Sequence, residues 1–467
     1  AISVFASCRK ELANESANGT TDGLRTISVQ FDNSTKATLN GFTPTFADGD
    51  RIRVSNTEKS EECTVTVSGT AATFTTTLPG ALTAIYPADA AVLTTDASDA
   101  PVATSNGFKV SSSQDGTIGR AIIAKAGIAQ GSSSATFTSQ TAFFEITPPS
   151  GATSITIKSL KQIGTDGQRS GTAVAINTDG AGDAEKSVIT VTVPGDGVAY
   201  VSLVPGVKLT DLSFDAGEAV GMKGIPTGKL GSSPNETAIN TKYAIDSDNW
   251  HPYVEIQMTV NSVTKTYKWA TMNIGATSAA GYGYYFFWGG TEGYKRDGSD
   301  SKWIKASGDT EEELPGGFFS GNCPYYFTKY TVDSGKTILE LVDDAANANW
   351  GGPWRMPIGA GGEFQALQTA APGAFVTEGG INGCKFTETS SGKTLFFPAA
   401  GRGLDTSLNH AGDYGIYWAS TLFEFTINYY SDRLIFSFLE MDQDWSIDPQ
   451  SHYHPYDGYS VRPVSDL

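Results

Sequence analysis

Tryptophan and histidine are missing from the first half of the chain: all eight Trp and all four His lie at or beyond residue 250. The gap marks two kinds of domain joined near Ser247. Positive charge is also scarce, with 32 Lys and Arg against 50 Asp and Glu and a formal net charge of −18. A surface of that sign repels nucleic-acid phosphate and anionic lipid, so neither is expected as a partner. No run of about eighteen apolar residues occurs, which excludes a membrane-spanning helix within these residues. No CxxC or Cys/His spacing suits zinc. GxSxG, HExxH and phosphate-loop patterns are absent too, so catalysis has no motif to rest on.

What the chain does contain favours strands. Hydrophobic residues make up 39% and charged ones 18%, with 52 Gly, a mix suited to strands and turns rather than long amphipathic helices. A length of 467 residues exceeds one compact core, and three domains are expected. Period-two alternation recurs at Thr64–Val67, Ser154–Lys158, Val188–Val193 and Val198–Val204, the mark of half-buried antiparallel strands. Turn clusters separate them, among them Ala47-Asp48-Gly49-Asp50 and Pro148-Pro149-Ser150-Gly151. The run Gly131-Ser132-Ser133-Ser134 reads as a linker that divides this half into two sandwich-sized units.

Ala1–Cys8 reads AISVFASC, and Phe5-Ala6-Ser7-Cys8 resembles the end of a bacterial lipoprotein signal. Cys8 is then the lipidated residue, and the polar stretch to Asp22 a tether. Cys323 and Cys384 are the candidate disulfide pair of an oxidising compartment, while Cys63 reads as a small buried apolar residue.

Family resemblances sharpen this outline. Ala47–Val54 (ADGDRIRV) and Ala84–Pro87 (AIYP), then Thr141–Thr147 (TAFFEIT) and Ile155–Ser159 (ITIKS), resemble the two domains of fimbrillin-like (Mfa-like) pilins of Gram-negative anaerobes. The second half resembles the bacterial surface domain Fib_succ_major, itself similar to the C-type-lectin-like and formylglycine-generating-enzyme fold. Its blocks are Lys268–Ala276, Gly283–Gly289, Asp343–Ala346, Trp350–Pro357, Phe397–Gly401, Gly415–Thr421 and Tyr459–Val464. Together these imply a mainly β protein with two tandem transthyretin-like β-sandwiches and an α+β C-type-lectin-like domain. The expected boundaries are 1–24 (signal remnant and tether), 25–134, 135–245 and 246–467. Trp269, Trp288, Trp354 and Trp418 fall inside the blocks and are assigned to the core. Phe364 and Leu367, three apart, predict a short helix packing inward.

Candidate sites gather late in the chain. Asp444, Trp445, His452, Tyr453, His454, Tyr456 and Asp457 offer rings beside carboxylates, the chemistry of carbohydrate or protein recognition. Glu440, Asp442, Asp444 and Asp448 supply the hard oxygens calcium requires, although the sugar-binding triplets of calcium-dependent lectins are absent and a solvated acidic turn is the favoured reading. His452 and His454 alternate as two ligands on one strand would, yet no third ligand is identifiable. Apart from that calcium candidate, no cofactor is expected. Formylglycine-generating activity needs an active-site cysteine pair, which this chain does not match.

Fimbrillin-like pilins polymerise by strand complementation, so the resemblance implies other pilin subunits as partners. A lectin-like domain in place of a C-terminal donor strand implies a fimbrial tip adhesin at the cell surface, exported as an outer-membrane lipoprotein. Proteolysis near Arg25, just before the alternating Ile27, Val29 and Phe31, is the candidate maturation step, expected to free an acceptor groove. The alternatives are a standalone surface lipoprotein that binds glycans and, more remotely, an extracellular enzyme.

Overall fold

A computed structural model describes residues 23–32, 44–95, 101–158, 162–163, 169–170, 175–179, 181–206, 211–216, 219–224, 241–245, 250–296, 302–307, 312–322, 329–330, 335–359, 361–422, 433–439, 446–453 and 455–466. The chain is mainly β and falls into two compact units. The first comprises Ala1–Asp32, Thr45–Gly107 and Lys125–Phe137; the second takes the rest.

In the first unit, eight strands join in the order Ser60–Thr64, Arg51–Ser55, Leu82–Tyr86, Ala124–Ile128, Ser134–Ser139, Arg25–Phe31, Ala71–Thr76 and Thr66–Ser68. Alternation dictates these strands: Ile27, Val29 and Phe31 are buried while Thr26, Ser28 and Gln30 are exposed. Rings from strands three places apart meet, Phe31 lying 5.6 Å from Tyr86, so the sheet curls around its core. Phe46 stacks on Phe31 at 4.4 Å and meets Phe137 edge-on at 5.3 Å. The expected turn at Ala47–Asp50 forms, with Gly49 at φ 90°, Asp50 N–H donating to Ala47 O at 3.1 Å and Ala47 N–H to Asp50 Oδ2 at 2.8 Å.

Gly131–Ser134 is not a linker. Ser132 N–H donates to Ala129 O at 3.0 Å, closing a turn, and the next strand, Ser134–Ser139, pairs in parallel with Arg25–Phe31 from Ser28↔Ser134 to Phe31↔Phe137. Ala135 and Phe137 complete the first core, so this unit runs through Phe137 and not to 134.

The second unit holds another eight-stranded sheet: Val464–Asp466, Val263–Ala270, His251–Val260, Ala219–Gly224, Asp211–Ala216, Ser154–Lys158, Val188–Thr192 and Ser113–Gln114. Where a boundary near 246 was expected, strands from both sides of it join through Gly221↔Pro252 and Met222↔His251. A three-stranded sheet accompanies it, with Ala142–Ile146 between Ala199–Leu203 and Thr241–Ile245.

From residue 250 onward, short strands and loops surround aromatic cores. Trp269, Trp288, Trp354 and Trp418 are all 0% exposed, as expected, and so is Trp303. The predicted helix is Glu363–Ala370, with Phe364 and Leu367 buried against Trp269 and Phe397. Among the buried rings, Trp288 Nε1–H donates to Ala419 O at 2.9 Å and Tyr417 O–H to Pro398 O at 2.7 Å, while Nε1 of Trp269, Trp303 and Trp354 has no hydrogen-bond partner among the described residues. Gly401, at φ 66°, is required by close approach, since a Cβ there would lie 2.3 Å from Asn409 O. Arg355, itself buried, donates to Glu363 and lies 3.8 Å from Asp466, whose other oxygen pairs with Lys265 at 2.8 Å. That network fastens the strand Val464–Asp466 to the helix and the hairpin.

Candidate functional site

The strand Arg25–Phe31 lies inside its sheet rather than at an edge. On one side it runs antiparallel to Ala71–Thr76, from Arg25↔Thr76 to Val29↔Ala72; on the other it runs parallel to Ser134–Phe137. Ser28 N–H donates to Ser133 O at 2.8 Å, and Asp32 N–H to Phe137 O at 2.7 Å. Removing this strand would strip backbone partners from both neighbours and expose the pocket holding Ile27, Val29 and Phe31. Each of those side chains contributes roughly 1.5–3 kcal/mol of burial in the groove the strand fills.

Arg25 closes one end of the groove. Its Nη1 donates to Gly80 O at 2.9 Å and Leu78 O at 3.2 Å, and its Nη2 to Ser132 O at 3.4 Å. Glu61 fixes the bend opposite. Its carboxylate accepts from Thr76 O–H, from Thr77 N–H at 2.9 Å and from Thr77 O–H at 3.0 Å, while Leu78 N–H donates to Thr76 Oγ1 at 3.1 Å. Partial burial works to raise the Glu61 pKa, but these hydrogen bonds outweigh it and hold the carboxyl below its ordinary value of 4.5. Sequence alternation marks the strand itself. Glu61 escaped notice because an acidic residue on a strand reads as solvated surface.

The expected processing residue is thus the first of the strand. A cut after Arg25 leaves Thr26–Phe31 joined to the unit through Asp32, so it frees the arginine end without releasing the strand. Leu24, just before it, is 66% exposed.

The late-loop candidates divide differently. Asp444, Trp445, His454, Glu440 and Asp442 lie outside the described residues, as does Cys8. Asp448, His452 and Tyr453 belong to the strand Ser446–Tyr453, opposite Ser437, Leu434 and Arg433 respectively, with their side chains outside the description. Tyr456 is half-buried and packs on the cluster of Tyr285, Phe287 and Trp303. Asp457 corrects the expectation of a ligand contact. It is 0% exposed, accepts from Tyr459 O–H at 2.8 Å and lies 3.6 Å from Arg402, so its carboxylate serves the interior. Among the described residues, no group of three His, Cys, Asp or Glu is placed to hold a metal.

Cys384 is a free, fully buried thiol in the core with Phe386 and Phe397; its suggested partner, Cys323, lies outside the described residues. Cys63 is likewise free and buried, as expected of a small apolar residue. Burial pushes both thiols up to about 12, with the nearby Glu61 carboxylate adding to the effect at Cys63.

No protein-family model and no curated protein matches the chain. Solved structures do align with it. A provisionally named cell adhesion protein from Bacteroides thetaiotaomicron VPI-5482 covers 48% of this chain and 92% of its own, at 13% identity and a TM-score of 0.26. For a fimbrial assembly protein from Parabacteroides distasonis ATCC 8503 the figures are 53%, 94%, 10% and 0.23. A fimbrial protein from Bacteroides ovatus ATCC 8483 covers 95% of this chain and 98% of its own, at 8% identity and a TM-score of 0.21.

Proposed function

We propose that this protein is a non-catalytic subunit of a surface fimbria, placed at the tip, which takes a neighbouring pilin's strand into the groove now filled by Arg25–Phe31. The observation that carries the reading is that strand's interior position, flanked on both sides and holding three buried apolar side chains. Adding a strand at such a place supplies main-chain hydrogen bonds and alternating pockets together. Val464–Asp466, a buried strand fastened by Arg355 and Lys265, is itself not free to be donated. Burial that raises both described thiols to about 12 disfavours thiolate chemistry at Cys63 and Cys384. Residues 250–466 would then present the adhesive surface, and a lipid on Cys8 would carry the precursor to the outer membrane.

The test is immunogold labelling of sheared fimbriae with antibody against residues 250–466. Gold confined to fibre ends supports a tip subunit. Gold along the shaft contradicts the tip position, and protein left wholly on the cell body favours a standalone surface lipoprotein.

A further inference from the structure

A cleft of about 610 Å3 opens beside the helix Glu363–Ala370 and the hairpin of His251–Val260 with Val263–Ala270, a size within the roughly 300–1,000 Å3 of small-ligand sites. Local periodicity places polar groups there. In the strand, Ile256, Met258 and Val260 are buried in the core, which turns Gln257 and Thr259 outward. On the helix, burial of Phe364 and Leu367 leaves Gln365 and Thr369, one turn apart, exposed. All four outward residues line the cleft, and none of its lining side chains carries a charge or an aromatic ring.

This lining selects a ligand class by exclusion. A charged ligand meets no counter-charge, and a flat apolar one meets no ring to stack on. An extended peptide would need the outer edge of His251–Val260, which beyond Pro252 has no strand partner among the described residues. That edge is blocked: Gln257 N–H donates to the buried Glu388 carboxylate at 2.7 Å, and Lys393 Nζ donates to Glu255 O at 3.1 Å. Side-chain amides and hydroxyls remain, each able to donate and accept.

Part of this set is held in place in advance. Gln365 Oε1 accepts from Gly361 N–H at 2.7 Å, leaving its NH2 as an oriented donor. Thr369 O–H donates to Gln365 O at 3.1 Å and Thr389 O–H to Ala370 O at 3.2 Å, which leaves both hydroxyl oxygens as oriented acceptors. Fixed donors and acceptors lower the ordering cost of binding. We infer that this cleft binds a neutral polyhydroxyl ligand, a segment of uncharged oligosaccharide, recognised by the amides of Gln257 and Gln365. The site is separate from the late loop and does not depend on strand exchange.

The test uses the full chain, titrated by calorimetry and saturation-transfer NMR with maltotriose, cellotriose, mannotriose, xylotriose and N-acetylchitotriose, and with sialyllactose as the acidic comparison. The comparison proteins are a Gln257→Ala/Gln365→Ala double variant, checked by circular dichroism, and a Lys336→Ala variant, which lies outside the cleft. Binding of a neutral trisaccharide that weakens tenfold or more in the double variant, and stays within twofold in Lys336→Ala, is the expected result. The proposal is overturned if no neutral trisaccharide binds at millimolar concentration, if the double variant binds as well as wild type, or if sialyllactose is preferred. Incorporation of the wild-type chain into fimbriae is read in parallel. A chain that binds sugar but never enters fibres contradicts the fimbrial reading and leaves the cleft standing.

Discussion

Arg25 donates to the carbonyl of Gly80 at 2.9 Å, so the first strand enters its sheet through a side-chain clamp as well as a backbone ladder. The bend that offers the neighbouring Leu78 carbonyl is itself tied to Thr76, and Thr76 to Glu61. Holding the strand and shaping its groove are therefore one connected set of bonds.

Replacing Arg25 should loosen this end first. Arg25→Ala removes three charge-assisted hydrogen bonds at a partly exposed site and should cost about 1–2 kcal/mol. Urea denaturation measures the loss, and faster amide exchange at Thr26–Ser28 than at Phe31 locates it.

The strand's hold also depends on its inward face. Phe31→Ala should destabilise the first unit by about 3–5 kcal/mol, because it leaves Phe46, Tyr86 and Phe137 around a cavity. Gln30→Ala, on the outward face, should stay within about 0.5 kcal/mol. Equal effects in paired denaturation curves would contradict the assigned register.

Acid should weaken the groove through Glu61. Its carboxyl is held below the ordinary 4.5 in the folded state, so the stability it contributes is present above that value and lost as pH falls through the lower, folded one. Glu61→Gln should flatten the dependence of the first unit's melting temperature on pH in that acid range. A variant curve parallel to wild type would rule the linkage out.

Asp344 should act in the opposite sense. It caps the helix Ala345–Trp350 by accepting from Ala346 N–H and Asn347 N–H, and it also accepts from Met356 N–H, yet burial pushes its pKa up to about 6. Its folded pKa lies above the ordinary 3.8, so the associated stability is full below that value and is lost as pH rises through about 6. Asp344→Ala should cost about 1–3 kcal/mol at neutral pH through the lost cap and the orphaned Met356 N–H, and should remove that slope. Calorimetric melts between pH 4 and 7 read both effects.

Much of this architecture was legible in the sequence where a single period decides the outcome. Ile27, Val29 and Phe31 announce a strand by alternation, Phe364 and Leu367 a helix by spacing, and the Trp-bearing blocks a core. What escaped depends on partners distant in the chain. Ser134–Ser139 begins in a Ser-rich run whose composition suggests a linker, and only its register with Arg25–Phe31 makes it a wall of the groove. Likewise, the sheet crossing residue 246 rests on two residue pairs, Gly221↔Pro252 and Met222↔His251, that no local pattern marks. Asp457 looked like a ligand contact because it follows an exposed-looking aromatic run, but the buried Tyr459 hydroxyl turns it inward.

Whether the first strand leaves its sheet can be asked directly with a reversible lock. Ser28 and Thr73 are directly opposed across antiparallel strands, and Ser28 N–H bonds to the other neighbour, so the two form a close pair suited to a disulfide. In a Ser28→Cys/Thr73→Cys double variant, incorporation into fimbriae should fail when the lock is oxidised and return when it is reduced. Incorporation that is equal in both states would show that Arg25–Phe31 stays in place and would contradict strand exchange.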